Sequence, residues 1–311
     1  MAAATTRWPG CQLSPQGLLN GETIVSRTDI QLPGRGPTFG VSRTWSSAQG
    51  DRLGAFGRGW STGLESRLEL GACTLRVIGG EGSGVEFADP APGPDGTLVY
   101  SALDGYHGSL VKTAAGDFDL YAKDGTRYHY PISTEIVDGA ISRKSLQLMF
   151  VEDTNGNRVY RQYRQFRDIS VVSKLSDSNG REIVFEYIDQ ASGQASYPQL
   201  YPMVKRIVGP LGFDLRFEYD GNGNMVSAKR EDAPYHETYV STDLGVVEDT
   251  EGRGHRVGWR LVSVTNEIAD HVVRLHEYQI NWVGYTQQSN GSEVLLPGAQ
   301  VMSVRDELGN L

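Results

Sequence analysis

Gly212-Phe213-Asp214-Leu215-Arg216-Phe217-Glu218-Tyr219-Asp220-Gly221-Asn222-Gly223-Asn224 is the stretch that decides the fold. Phe213, Leu215, Phe217 and Tyr219 fall on one side of an extended chain, and Asp214, Arg216, Glu218 and Asp220 on the other. Side chains alternate faces along a strand, so this is a strand with one dry and one wet face. It runs into a turn with a mechanism. The Asp220 side chain is placed to accept from the backbone two residues on, and Gly223 tolerates a positive φ.

The turn recurs. Asp-x-x-Gly followed by Asn or Arg begins at Asp153 (Gly156), Asp177 (Gly180), Asp220 (Gly223), Asp249 (Gly252) and Asp306 (Gly309), and Gly209-Pro-Leu-Gly212 is a degenerate sixth copy. Repetition of this kind takes precedence over any local reading. Alternating segments accompany the turns: Ile183, Phe185 and Tyr187 against Glu182 and Glu186, the shorter Asp124-Gly125-Thr-Arg-Tyr128-His-Tyr130, and Leu146, Leu148 and Phe150. Polar and Pro/Gly stretches at 88–96, 190–198 and 286–292 separate them. No stretch has the pattern of a long amphipathic helix. The expectation is an all-β chain of antiparallel strands, which must close, spiral or stack to hide its edges.

Composition agrees. Glycine is 38 of 311 residues, roughly 12% against an ordinary ~7%, and tyrosine is 15. That is the balance of many turns joining strands. A chain of this length buries about three quarters of its unfolded surface, so its size demands no disulfide or metal. The formal net charge of −9 argues against nucleic acid as a partner. No apolar run is long enough for a membrane span, and the first ten residues lack the apolar core of a signal peptide, which does not settle export. Cys11 and Cys73 are either two free thiols or one disulfide. Residues 1–120 read as an N-terminal β segment preceding the repeats, and 121–311 as a repeat sheet that stops in mid-repeat.

These residues resemble the YD-repeat, or Rhs (rearrangement hotspot), proteins. Phe217-Glu-Tyr219-Asp220-Gly-Asn-Gly223-Asn224-Met-Val226 matches one repeat unit, and Phe185-Glu-Tyr187-Ile-Asp189 matches it with one residue inserted. The N-terminal third is similar to the segment that precedes such repeats. It carries Asn20-Gly-Glu-Thr-Ile-Val-Ser-Arg-Thr-Asp29, Leu32-Pro-Gly-Arg-Gly36, Ser42-Arg-Thr-Trp45-Ser-Ser47 and Phe56-Gly-Arg-Gly-Trp60 in that order. The family has Tyr-Asn-Ser where this chain has Trp45-Ser46-Ser47. The resemblance covers most of residues 17–311. It implies a sheet that spirals into a hollow shell, made by a secreted or otherwise delivered protein, that encloses or displays a C-terminal toxin. The partners implied are the remainder of the shell, its toxin, and a partner chain or second copy at open sheet edges. The family's self-cleavage site is not visible: Asp89-Pro90 lies far too early. The chain reads as a fragment of a shell without the toxin.

Other chemistries compete with the scaffold. Gly59-Trp-Ser61-Thr-Gly63 has the nucleophile-elbow spacing, but that elbow needs a following helix, and Leu64, Ser66, Leu68 and Leu70 alternate as a strand. A helical calcium loop wants Gly at position 6 and Glu at position 12. From Asp153 those are Arg158 and Arg164; from Asp220 they are Met225 and Glu231. Arg158, Arg161, Arg164 and Arg167 alternate with Tyr160, Tyr163 and Phe166, a pattern able to bind single strands, but the net charge of −9 favours a bent strand of solvated arginines paired with nearby carboxylates. The histidines show no metal-site spacing. No cofactor and no catalytic residue is expected. The alternative function is a carbohydrate- or cell-surface-binding adhesion module, with Trp259, Trp282 and Tyr285 as candidate ligand contacts.

Overall fold

A period-2 apolar pattern must bury one face of each strand, and the structure shows how the chain does so. It is a computed structural model that describes residues 24–50, 52–71, 74–80, 84–103, 105–138, 143–166, 169–188, 202–243, 246–248, 254–256, 259–268, 271–282, 285–287, 293–295 and 300–305. The protein is all-β: a large antiparallel sheet that is not closed into a barrel, with no helix of seven or more residues among the described residues. It divides into two compact units. One comprises residues 1–11, 28–42 and 62–185, and the other 12–27, 43–61 and 186–311.

In the first unit, Arg67–Leu70, Leu75–Ile78, Gly84–Pro92, Leu98–Ala102, Ser109–Lys112, Phe118–Tyr121 and Arg127–Tyr130 each pair antiparallel with the next. The chain then makes an excursion. Arg143–Gln147 returns to pair with Arg67–Leu70, and Phe150–Glu152 comes back beside Arg127–Tyr130. The excursion carries Leu146 and Leu148 into the same apolar cluster as Leu68, Val77, Val85, Phe87, Leu110, Phe118, Leu120, Tyr128 and Tyr130. Every one of these lies on the alternating dry face. Full burial of such a side chain contributes about 1.5–3 kcal/mol. Arg158–Phe166, Ile169–Asp177 and Glu182–Tyr187 continue the ladder, with a register shift between Gln162 and Tyr163.

In the second unit, Val204–Val208, Asp214–Tyr219, Met225–Arg230, His236–Asp243, Trp259–Ile268, His271–Trp282 and Gln300–Arg305 pair in sequence order. Leu215 and Phe217 are buried as the alternation requires, with Arg216 and Glu218 exposed. The core is completed from far away in sequence. Phe56 packs edge-on against Phe217 at 5.1 Å, and Trp60 against Tyr239 at 5.5 Å.

Two hairpins share an unusual turn. Gly93-Pro-Asp-Gly96 and Gly209-Pro-Leu-Gly212 both place the residue after proline in the left-handed region, Asp95 at φ 54° and Leu211 at φ 60°. Asp tolerates that conformation and Leu does not. Leu211 is also fully exposed, at 101%, so it gains no packing in return. Leu211→Asn should therefore stabilise the chain by roughly 1 kcal/mol. An upward shift of the urea midpoint is expected, and a downward shift would contradict the strain argument.

Candidate functional site

The three repeat turns among the described residues are built alike. In each, the first Asp pairs with the fifth residue, and the Gly N–H donates to the Asp carbonyl. Asp153 N donates to Asn157 O at 3.0 Å and Gly156 N to Asp153 O at 3.1 Å. The equivalents are 3.1 and 3.0 Å in the Asp177 turn, and 2.9 and 3.1 Å in the Asp220 turn. Gly156, Gly180 and Gly223 sit at φ 80°, 77° and 82°. This is a three-residue hairpin loop whose last residue is left-handed.

The carboxylate then closes the loop. Asp153 Oδ1 accepts from the backbone N–H of Asn155 (2.9 Å) and Asn157 (2.8 Å), and Oδ2 accepts from Asn157 Nδ2 (2.8 Å). Asp177 Oδ1 accepts from Asn179 N (3.0 Å) and Arg181 N (2.9 Å), and Oδ2 from Arg181 Nε (2.8 Å). Asp220 Oδ1 accepts from Asn222 and Asn224 N–H, both at 2.9 Å, and Oδ2 from Asn224 Nδ2 at 2.9 Å. Both oxygens of each carboxylate thus accept from N–H donors of their own turn. Among the described residues no group of three or more His, Cys, Asp or Glu is placed to hold a metal.

Two of the N-terminal blocks, Leu32-Pro-Gly-Arg-Gly36 and Phe56-Gly-Arg-Gly-Trp60, sit on these turns. In the first unit, Pro33 O accepts from Arg181 Nη1 at 2.7 Å. Gly34 lies so close that a Cβ there would stand 2.6 Å from the Arg181 guanidinium, and a Cβ on Gly36 (φ 104°) would stand 2.6 Å from Asn157 Cβ. The Phe39 ring lies 5.4 Å from the Arg181 guanidinium carbon. In the second unit, Arg58 N donates to Gly223 O at 2.9 Å, and Arg58 Nε to Asn222 O at 2.6 Å. Gly57 (φ 89°) leaves only 2.5 Å between a hypothetical Cβ and Gly223 O.

The second unit also buries an ion cluster that sequence reading missed. Arg43 is 1% exposed and Glu237 2%. Arg43 Nη2 donates to the Tyr239 hydroxyl at 3.0 Å and lies 3.9 Å from Glu237 Oε2. The guanidinium faces the rings of Trp60 (4.5 Å), Phe217 (5.3 Å) and Tyr239 (5.4 Å). Arg27 Nε donates to both Glu237 oxygens, at 2.9 and 3.0 Å, and Tyr239 donates its hydroxyl to the same carboxylate. Burial pushes the Tyr239 phenol well above its usual range; the Arg43 charge opposes that and the Glu237 charge adds to it. Tyr239 thus remains a neutral donor. A fully apolar surround is the only hint in the sequence, since Arg43 alternates with Val41 and Trp45 on the dry face. Arginine tolerates it because its planar cation stacks on rings.

The other candidates resolve separately. Ser61 is 2% exposed and donates to Thr44 O at 3.2 Å, a buried structural hydroxyl. The arginine run splits: Arg158 pairs with Glu152, Arg161 donates to Gly63 O at 2.9 Å, and the Arg164 guanidinium lies 4.8 Å from the Phe166 ring. Trp259 and Trp282 end long strands and Tyr285 begins a short one, and their side chains lie outside the described residues. So do Arg167, Cys11, Cys73, and the turns at Asp249, Gly252, Asp306 and Gly309. Two turns went unread. Thr113-Ala-Ala-Gly116-Asp117 closes like the others, with Thr113 N to Asp117 O at 2.8 Å, and Ala122–Thr126 does the same at 2.8 Å. Neither begins with Asp, so the motif did not mark them.

Two outcomes follow. Asn157 and the backbone N–H groups hold the Asp153 carboxyl below the usual carboxylate range; at Asp177 burial pushes upward but hydrogen bonds from Arg181 and Asn179 outweigh it. A depressed carboxylate contributes stability that is present above its unfolded value, about 4, and is lost as pH falls through the folded value. Asp177→Asn should therefore be less stable at pH 7 and show a shallower loss of stability below pH ~4; an acid limb as steep as the parent's would count against this. Removing one partner of a buried ion pair leaves the other uncompensated, so Glu237→Gln should cost about 3–5 kcal/mol by urea unfolding. A cost below about 1 kcal/mol would mean that the aromatic rings alone carry Arg43.

Residues 17–87 match the family model described as "Domain of unknown function (DUF6531)". Over 120 residues the chain is 34% identical to "tRNA nuclease WapA" of Bacillus subtilis (strain 168), and equally to "tRNA3(Ser)-specific nuclease WapA" of Bacillus spizizenii. The match takes in 37% of this chain and 5% of each relative, so it spans a small part of their length. Among solved structures, the TcdB2-TccC3 crystal structure is similar over 92% of this chain and 18% of that one, at 14% identity and TM-score 0.45. The N-terminal domain of the effector SpvB from Salmonella typhimurium strain LT2 is similar over 78% and 99%, at 13% identity and TM-score 0.41. Likenesses of this size carry no inference to function. The four N-terminal blocks fall in order within this domain at residues 17–87, and with its Asp-closed turns the chain is similar to the YD-repeat (Rhs) proteins.

Proposed function

We propose that this chain is a non-enzymatic structural segment of a YD-repeat shell, one that encloses or displays a toxin or effector domain lying elsewhere in the protein. The observation that carries this reading is the fate of the repeat carboxylates. Asp153, Asp177 and Asp220 are the residues that recur, and each spends both oxygens on closing its own hairpin. What the sequence repeats is a joint and not a reactive group. A hairpin that closes on itself and pairs with the next extends by addition, which is the way to build a wall from a one-dimensional chain. The curated relatives named as tRNA nucleases are far longer than the stretch they share with this chain. On this reading, an activity of that class belongs to another part of such a protein. Delivery outside the producing cell, and partnership with the rest of the shell and its cargo, belong to the same proposal.

The test is protection. In the full-length protein, a domain downstream of further Asp-x-x-Gly-Asn/Arg turns should survive a protease that degrades the same domain made separately. A reading frame with neither further turns nor a downstream domain, or a domain digested equally fast in both forms, would sink the enclosing role.

A further inference from the structure

We propose that the N-terminal segment is a reader of the repeat turn: a binding surface whose ligand is the closed Asp-x-x-Gly-Asn/Arg hairpin, engaged here within the same chain. This goes beyond the shell reading and stands whether or not the chain encloses anything. The segment offers two different contacts, one in each compact unit, and each uses atoms that exist in place only when the turn is closed.

The first contact reads the fifth residue of the turn. Asp177 holds the Arg181 guanidinium through Nε and Nη2 at 2.8 and 2.7 Å, which leaves Nη1 to donate to Pro33 O at 2.7 Å. Gly34 lies on the guanidinium, and Gly36 on Asn157, whose amide Asp153 holds at 2.8 Å. A side chain at Gly34 would displace the Arg181 guanidinium, and at Gly36 glycine is required both by the nearness of Asn157 Cβ and by its positive φ. The second contact reads carbonyls. Within the Asp220 turn the ladder uses Asn224 O and Asp220 O, leaving those of Asn222 and Gly223 to accept from Arg58 Nε and Arg58 N. Gly57 permits that approach. Leu32-Pro-Gly-Arg-Gly36 and Phe56-Gly-Arg-Gly-Trp60 thus have one chemical task, recognition of a closed turn, approached from its side chain in one case and its backbone in the other. The consequence is register: the segment fixes which repeats stand beside it, and discriminates against strands joined by other turns.

The test uses the full chain and trypsin, which cuts after Arg35 in the middle of the first contact. Rates of cleavage are followed by mass, peptide by peptide, in the parent and in Arg181→Ala and Arg181→Lys. Loss of a charge-assisted hydrogen bond should speed cutting after Arg35 by about tenfold or more in Arg181→Ala, with cuts in the strands of 66–130 unchanged. Arg181→Lys keeps the charge but not the flat fork, should also speed that cut, and decides the matter if the alanine variant does not fold. An unchanged rate after Arg35 overturns the proposal. So does acceleration of all sites together, which would make Arg181 a residue of general stability only.

Discussion

Three strand pairs, those closed at Asp153, Asp177 and Asp220, depend on a chain that can reverse in three residues without leaving an unpaired backbone donor. The Asp carboxylate solves this. It takes the two N–H groups that the tight loop turns away from the ladder, while glycine at the fourth place accepts the left-handed conformation the reversal demands. Unsatisfied, those donors would each cost roughly 1–3 kcal/mol once covered. The turn is therefore a closed polar unit, which is why another segment can be laid on it.

That covering comes from about 100 to 170 residues earlier in sequence. The same segment supplies Arg43, Phe56 and Trp60 to the second unit, so the repeat strands do not finish their own core. Glycines and carbonyls meet the turns, while rings and a stacked guanidinium meet the dry faces of the strands. Arg43 is held as much by geometry as by charge. Three rings, one of them the Tyr239 phenol, and one carboxylate surround a cation that has lost nearly all its water. Such a cluster contributes less to net stability than to uniqueness of packing, because its partners tolerate only one placement.

How much of this was legible in sequence follows from range. Period-2 alternation is local, so the strands around Phe217 and Phe185 could be read directly, and the Asp-x-x-Gly turns with them. Turns at Thr113 and Ala122 could not, because they keep the backbone geometry without the carboxylate that marks it. The seating of Gly34, Gly36, Gly57 and Arg58 on the turns is set by contacts across the whole chain, and no spacing within the N-terminal blocks announces it. Arg43 was hidden for the opposite reason. A charged residue among alternating apolar ones reads as a break in the pattern, and only the convergence of Glu237, Tyr239 and Trp60 from distant strands turns it into a core residue.

Asn155-Gly156, Asn179-Gly180 and Asn222-Gly223 are also the sequence at which proteins age fastest. In a loose chain the glycine nitrogen loses its proton and attacks the asparagine side-chain carbonyl carbon, expelling ammonia to close a succinimide that water then opens to aspartate or isoaspartate. In these turns that nitrogen is engaged: Gly156, Gly180 and Gly223 each donate to an Asp carbonyl at 3.0–3.1 Å. Asn155 and Asn179 have their amides drawn toward the Asp carboxylate instead, at 3.4 and 3.2 Å. The hydrogen bonds that shape the repeat thus also set its chemical clock, which runs slowly while a turn is closed and starts once it opens.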